Sequence, residues 1–226
     1  MLNLNTNTIF ENREEASLAL IETLPLDMLK SSDVVVLGIS EDGVYFAYEI
    51  AKKLKCRMDL LLTEPIYSPI NVELAIAMVS ETEEVVMHKP LINAFGISKD
   101  YIYAQADKKY NDEIVGYVHK YRNGERLEGL TEKYVILVDA CVETGLTMMT
   151  AIKTVISVGA KNVFIAVPIL DNVVYESLVT ICDNLFCPHR IDNYISQEYY
   201  YEHLKKFRFE DIDKIMKTIK ETKDNE

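Results

Sequence analysis

Residues 134–150, YVILVDACVETGLTMMT, constrain the chain more than any other stretch. Tyr134, Val135, Ile136, Leu137 and Val138 form an apolar run without alternation, most of it β-branched or aromatic. Such a run reads as a strand covered on both faces, as in the middle of a parallel sheet. Asp139 closes the run where a strand's carboxyl end should emerge, and residues 140–144 read as a loop. Gly145 opens a new pattern, with Met149, Ile152, Ile156 and Gly159 at helical spacing, which predicts a helix from about Leu146 to about Gly159. Strand, loop and helix N-terminus together make a ready anion site, because the first N–H groups of a helix have no partner within it. Thr144 and Thr147 add hydroxyl donors, and Gly145 lets a ligand approach the backbone closely. Any βα unit of a doubly wound sheet shares this pattern, so the stretch by itself specifies an architecture and an anion site rather than a chemistry.

The run VILVDACVETGLT resembles the phosphoribosyl-pyrophosphate (PRPP) loop of type I phosphoribosyltransferases. In that family a buried strand ends in two acidic residues, followed by a short loop with Thr-Gly and a further Thr. The resemblance implies that Asp139 faces the ribose hydroxyls and a Mg²⁺ ion, and that Cys141, Val142, Thr144, Gly145, Leu146 and Thr147 wrap the 5′-phosphate. It also implies a catalytic role for Glu143, since purine salvage members carry an acidic residue just before Thr-Gly, close to a purine ring nitrogen. The bland alternative for Glu143 is a solvated loop carboxylate. One departure is plain: the second acidic position is Ala140.

Read in order, the chain supplies further units of the same kind. Asn12 reads as an N-cap opening a helix to about Leu24, with Ala16, Leu20 and Leu24 on one face. Residues 34–37 read as a second buried strand, and Phe46, Ile50 and Leu54 as the inner face of the helix after it, giving a first parallel crossover. A third strand is expected over 58–63, a hairpin between Glu73 and Met87, a polar helix over 101–120, a strand over 162–169, a helix over 172–181 and a short strand over 185–187. An amphipathic helix over 209–220 precedes a polar tail expected to fray.

The resemblance extends along this order. A subgroup of predicted bacterial phosphoribosyltransferases has Pro-Arg-Gly-Gly-Val where this chain has Ser40, Glu41, Asp42, Gly43 and Val44. Its Asn-Pro-Glu-Leu-Ala-Ile-Gly segment is matched by NVELAIA from Asn71, its Gly-Ile-Ser by Gly96, Ile97 and Ser98, and its Tyr-Arg-x-Gly turn by Tyr121, Arg122, Asn123 and Gly124. Order and spacing agree from about Ile9 to Phe209. The implied fold is α/β, a parallel twisted sheet flanked by helices with a small hood. It forms a single domain over 1–226, with a mobile hood about 64–130 and a C-terminal hood segment about 188–226. Ser40, Glu41, Asp42, Gly43 and Arg122 join the substrate-binding set by this alignment, with Lys108 and Lys109 as weaker candidates that equally suit a solvated helix face. Tyr199, Tyr200 and Tyr201 fall where the subgroup has an aromatic cluster. They read equally as a base-stacking surface or as packing.

Bulk properties narrow the field. A chain of 226 residues with 49% hydrophobic and 27% charged residues suits one compact domain with a full core. No apolar run approaches the ~20 residues of a membrane span, and the first residues carry no signal-peptide pattern, so a cytoplasmic protein is expected. The four cysteines show no metal-type spacing. A formal net charge of −12 argues against nonspecific nucleic-acid or anionic-membrane binding. The Tyr-rich tail leaves a homodimer open.

Two functions of different class follow. One is a transferase using PRPP, Mg²⁺ and a purine-like base. The other is a nucleotide-binding or regulatory protein that keeps the site for a nucleoside monophosphate and has lost transfer. Intact Thr144, Gly145 and Thr147 serve both. Ala140, Glu41, Asp42 and Glu64, which stands where the subgroup has a basic residue, favour the second, because carboxylates near a pyrophosphate repel it.

Overall fold

The computed structural model describes residues 8–205 and 207–223. Asn12 caps α1 (Arg13–Glu22), its side-chain oxygen accepting from the Glu15 N–H at 3.0 Å, and α2 (Leu26–Lys30) follows. β1 (Val34–Gly38), α3 (Gly43–Leu54) and β2 (Arg57–Leu60) form the first parallel crossover. The chain then builds β3 (Thr63–Tyr67), β4 (Ala75–Ser80) and β5 (Val85–Met87), an antiparallel sheet in that order. This sheet is backed by α4 (Lys89–Ala94) and by a long helix made of α5 (Lys99–Lys109), a π turn (Tyr110–Ile114) and α6 (Val115–Arg122). β6 (Tyr134–Val138) and α7 (Leu146–Ser157) return to the main sheet, followed by β7 (Asn162–Ala166), β8 (Ile169–Asp171), α8 (Asn172–Leu178), β9 (Asn184–Phe186) and β10 (His189–Ile191). A 3₁₀ turn (Gln197–Tyr200) and α9 (Phe209–Lys223) complete the described chain.

The main sheet has the order β2-β1-β6-β7-β9, and every pairing in it is parallel. Both faces are covered, which explains the absence of polar alternation. Val34, Val36, Ile136 and Val138 meet α1, α3 and α9, while Val35, Leu37, Val135 and Leu137 meet the α7 and α8 side. Strand order reverses between β1 and β6, and in open parallel sheets the crevice at such a reversal, beyond the strands' carboxyl ends, is where ligands bind. The loops that leave β1 and β6 lie there. The smaller sheet has its own apolar cluster around Ile66, Ile76, Ile102 and Ile114, and Met78 and Val86 press on Leu146 at the start of α7.

Several elements depart from the sequence reading. The strand expected over 58–63 is two: β2 ends at Leu60 in the main sheet, and β3 begins at Thr63 in the smaller one. Residues 61–62 cross between the sheets, with the Leu61 N–H donating to Gly38 O at 3.0 Å and the Leu62 N–H to the Glu81 carboxylate at 2.9 Å. Apolar periodicity cannot mark this crossing, because both sheets bury the same run. The strand over 162–169 likewise breaks at residues 167–168, and β8 pairs with β10 instead. The first helix stops at Glu22, where Thr23 Oγ1 donates to Leu20 O at 2.7 Å, the helix over 172–181 stops at Leu178, and the helix over 101–120 carries the π turn. α9 runs to Lys223, three residues past its expected end, and the last three residues lie outside the described ones.

The Glu81 carboxylate at the crossing is also the partner of Arg122, their side chains only 2% and 9% exposed. Burial pushes the Glu81 carboxyl up, and Arg122 opposes that shift. Breaking one member of such a pair strands a buried charge. Arg122→Ala should therefore cost about 3 kcal/mol or more in urea unfolding, and the Glu81→Gln/Arg122→Met double variant should recover much of the loss.

Candidate functional site

The loop after β1 is anchored to the end of β6. The Ile39 N–H donates to Val138 O at 3.1 Å, and the Gly43 N–H donates to Ser40 Oγ at 3.0 Å. A Cβ on Gly43 would lie 2.7 Å from Val138 O and 2.9 Å from Asp139 Cα, so only glycine permits this approach. Ser40 Oγ in turn donates to the Asp139 carboxylate. Asp42 is held by Arg13, the buried first residue of α1.

Asp139 sits at the carboxyl end of β6 and is 8% exposed. Its carboxylate accepts from Ser40 Oγ and from its neighbour's Ala140 N–H at 2.7 Å, both on Oδ1. Burial outweighs these bonds and pushes its pKa up to about 7, with Asp42 adding to the rise. The following loop is fixed at its middle, where Val142 bridges to Leu170 of β8 and buries its side chain in the core. Cys141 faces Tyr194, and burial first, then Asp139, pushes its thiol up to about 12, so it is a protonated wall rather than a nucleophile. Gly145 takes φ 75° as the residue before α7, and the Leu146 N–H donates to Thr144 Oγ1 at 3.4 Å. Glu143 and Thr144 are exposed, and Thr147 is half-buried in the first turn of α7.

Residues 40–42 and 139–147 with Gln197 enclose a cavity of about 350 Å³. The structure thus brings together Ser40, Glu41, Asp42, Asp139, Cys141, Val142, Glu143, Thr144, Gly145, Leu146 and Thr147, with Gly43 directly behind them. The cradle is narrower than the sequence suggests, because Val142 is committed to β8. Arg122 is corrected: it pairs with Glu81 and lines neither this cavity nor the next one. Lys109 is bound to Glu64 at 3.1 Å, and Lys108 is exposed. Tyr200 and Tyr201 are packing residues, with Tyr201 against Phe10 at 5.5 Å and Tyr200 against Tyr194 at 5.6 Å.

A second cavity of about 320 Å³ adjoins the first and shares Ser40, Glu41 and Thr147 with it. Its other walls include Leu61, Met78, Tyr117 and Tyr121, none of which the sequence reading assigned to a site. The signal was faint: two tyrosines four apart on a helix are as common on any packed face. Gln197, two residues before the three tyrosines, is buried at the rim of the first cavity. Among the described residues no three His, Cys, Asp and Glu side chains converge as a metal site, and Asp139 has already spent much of its acceptor capacity inside the protein. Among the described residues there is no protein-only cage for a resident Mg²⁺, and both bonds to Asp139 fall on its Oδ1. Among the described residues no helix is long and apolar enough to cross a membrane.

The sequence model of the family described as "Phosphoribosyl transferase domain" matches residues 6–203. The chain belongs to that family. Two Mycobacterium tuberculosis proteins, named "Putative phosphoribosyl transferase" Rv0571c (strain H37Rv) and MT0597 (strain CDC 1551), are each 27% identical over 179 residues, 79% of this chain. The chain spans only 40% of the length of these relatives. The fold matches the crystal structure of TT1426 from Thermus thermophilus with a TM-score of 0.75 at 24% identity, over 92% of this chain and 98% of that one. The phosphoribosyl transferase domain of this chain therefore carries the sequence pattern and the fold of its family, with Ala140 standing beside Asp139 at the strand end.

The raised pKa of Asp139 has a stability consequence. A carboxyl whose folded pKa exceeds its unfolded value contributes stability that is fully present below about pH 4 and lost as pH rises through about 7. Asp139→Asn should remove this loss, raising stability at pH 8 by an amount on the order of a few kcal/mol while changing little at pH 4, as measured by thermal unfolding across pH.

Proposed function

We propose that this phosphoribosyl transferase domain binds the ribose 5-phosphate group of PRPP or of a nucleoside monophosphate in the first cavity. The observation that carries this reading is the meeting of the α7 N-terminus, Gly145, Thr144 and Thr147 with Asp139 at the sheet's reversal point. The N–H groups at residues 143–145 and 147 and the two threonine hydroxyls suit a phosphate, aided by the positive end of the helix. Asp139 suits a ribose hydroxyl, which would compete with Ser40 for its carboxylate. Glu143, exposed on the cavity wall, suits proton exchange with a ring nitrogen of a purine-like base if transfer occurs. Mg²⁺ bound to the substrate's own phosphates would neutralise the charge of the leaving pyrophosphate. The smaller sheet with its helices serves as the hood.

A second reading, nucleotide binding without transfer, is favoured by two observations. Ala140 leaves a single carboxylate at the strand end, and that one is engaged by Ser40 and the Ala140 N–H. Calorimetry with ribose 5-phosphate, PRPP-Mg²⁺ and nucleoside monophosphates tests the shared claim, and pyrophosphate release with adenine, hypoxanthine, guanine and xanthine separates the two readings. Thr144→Val and Thr147→Val should each weaken ribose 5-phosphate by about tenfold, equivalent to ~1.4 kcal/mol. Unchanged affinity in both variants would place the phosphate elsewhere. Turnover of any base at ~1–10³ per second would establish transfer.

A further inference from the structure

A third cavity, of about 590 Å³, shares no lining residue with the other two. It is walled by the start of α1, by Tyr45 of α3 and by the approach to α9. Two helices, of 10 and 15 residues, thus begin at one hollow. The first N–H groups of a helix have no partner within it, and its dipole places positive potential at that end. The Asn12 side chain takes the Glu15 N–H at 3.0 Å, which leaves those of Arg13 and Glu14 outside the cap.

Helix starts alone do not make a site, and Arg13 supplies what they lack. It is 9% exposed, and its Nη2 holds Asp42. Its Nε and Nη1 are buried and have no hydrogen-bond partner in the protein. Dry, unpaired donors on a charged group are costly, so such atoms ordinarily meet a ligand or water. The guanidinium is also held in place, by Asp42 on one side and by the Phe207 ring, 5.5 Å from its Cζ, on the other. Lys205 and His203 stand exposed at the rim, with His203 Nε2 3.9 Å from Glu202. Burial, then Glu49 and Glu14, push the Tyr45 hydroxyl up, so it stays a donor. Of the lining carboxylates, Asp211 already accepts the Arg208 N–H at 3.1 Å and lies 3.6 Å from Lys214. Glu14 is exposed and opposes an anion.

We infer that the third cavity is a second anion site, which takes the phosphate group of a small molecule between Arg13, Lys205 and the first N–H groups of α1. Arginine with free N–H groups in a fixed orientation suits a phosphate, and a helix start completes its coordination. Tyr45 and Phe207, edge to face at 6.2 Å, leave an aromatic wall beside it for the rest of an ester. The site stands apart from the ribose 5-phosphate reading, because the two cavities have no residue in common.

NMR titration of the full chain with inorganic phosphate and with phenyl phosphate tests this, read at the His203 ring resonances, which the His203→Gln variant identifies. Both ligands should move these resonances saturably in the millimolar range or below. Lys205→Glu should weaken the effect by about tenfold, and Glu14→Gln should strengthen it several-fold. Both changes are at exposed positions, so neither puts folding at risk. Tighter phenyl phosphate would assign the site to a phosphate ester, and tighter inorganic phosphate to the free ion. A tungstate soak of crystals should give an anomalous peak within hydrogen-bond reach of Arg13. His203 resonances that do not move, movement indifferent to Lys205→Glu, or tungstate found only at the loop before α7 would each overturn the site. None of these results touches the first cavity, whose threonine variants are read with ribose 5-phosphate.

Discussion

The close approach of the β1 loop to the end of β6 is the contact on which the rest of the site depends. It needs a residue without a side chain at Gly43, since any Cβ would press into the Val138 carbonyl. Once the loops touch, Ser40 reaches Asp139, and Asp139 in turn orders the first N–H group of the next loop. Val142 then bridges to β8 and sets where that loop turns into α7. A sequence of short-range hydrogen bonds thus transmits the position of one sheet reversal to the threonines some residues away. The chain accepts a destabilised carboxyl at its centre for this, as functional sites often do.

The fold was legible because its signals are local. The apolar runs at 34–37 and 134–138, the cap at Asn12 and the glycine before α7 each announce an element within a few residues. Where one continuous run serves two sheets, as at residues 58–63, the pattern carries no mark of the crossing, and the reading failed there. The strand–loop–helix unit of β6 and α7 was legible for the same reason as the fold, since strand, turn and helix start are contiguous.

Charge was the poorly legible part. Asp42 and Glu64 look like repulsive insertions when the sequence is read alone, and Arg122 looks like a free cation. In the structure Asp42 meets Arg13, Glu64 meets Lys109, and Arg122 meets Glu81. Each partner lies dozens of positions away in the chain, beyond the reach of spacing rules. Glu41 is the exposed carboxylate that both cavities share, so the electrostatic character of the cleft rests on fewer groups than the sequence suggests. The apolar second cavity was invisible for a related reason: Leu61, Met78, Tyr117 and Ile212 come from four separate parts of the chain and form a surface only when packed.

The pairing of Phe10 with Tyr201 has a consequence for how the molecule is made. The N–H groups of Ile9 and Phe10 donate to Tyr200 O at 2.9 and 3.1 Å, and the 3₁₀ turn held this way carries Gln197 to the rim of the first cavity. During synthesis the partner of the segment around Phe10 arrives roughly 190 residues after it, so closing this loop is an entropically costly event that must wait. At ~5–20 residues per second the wait is on the order of ten seconds or more. Until then the sheet and the anion loop can assemble while the cavity stays open on one side. The first cavity is thus closed by the segment around Gln197, after the sheet that supports it already stands.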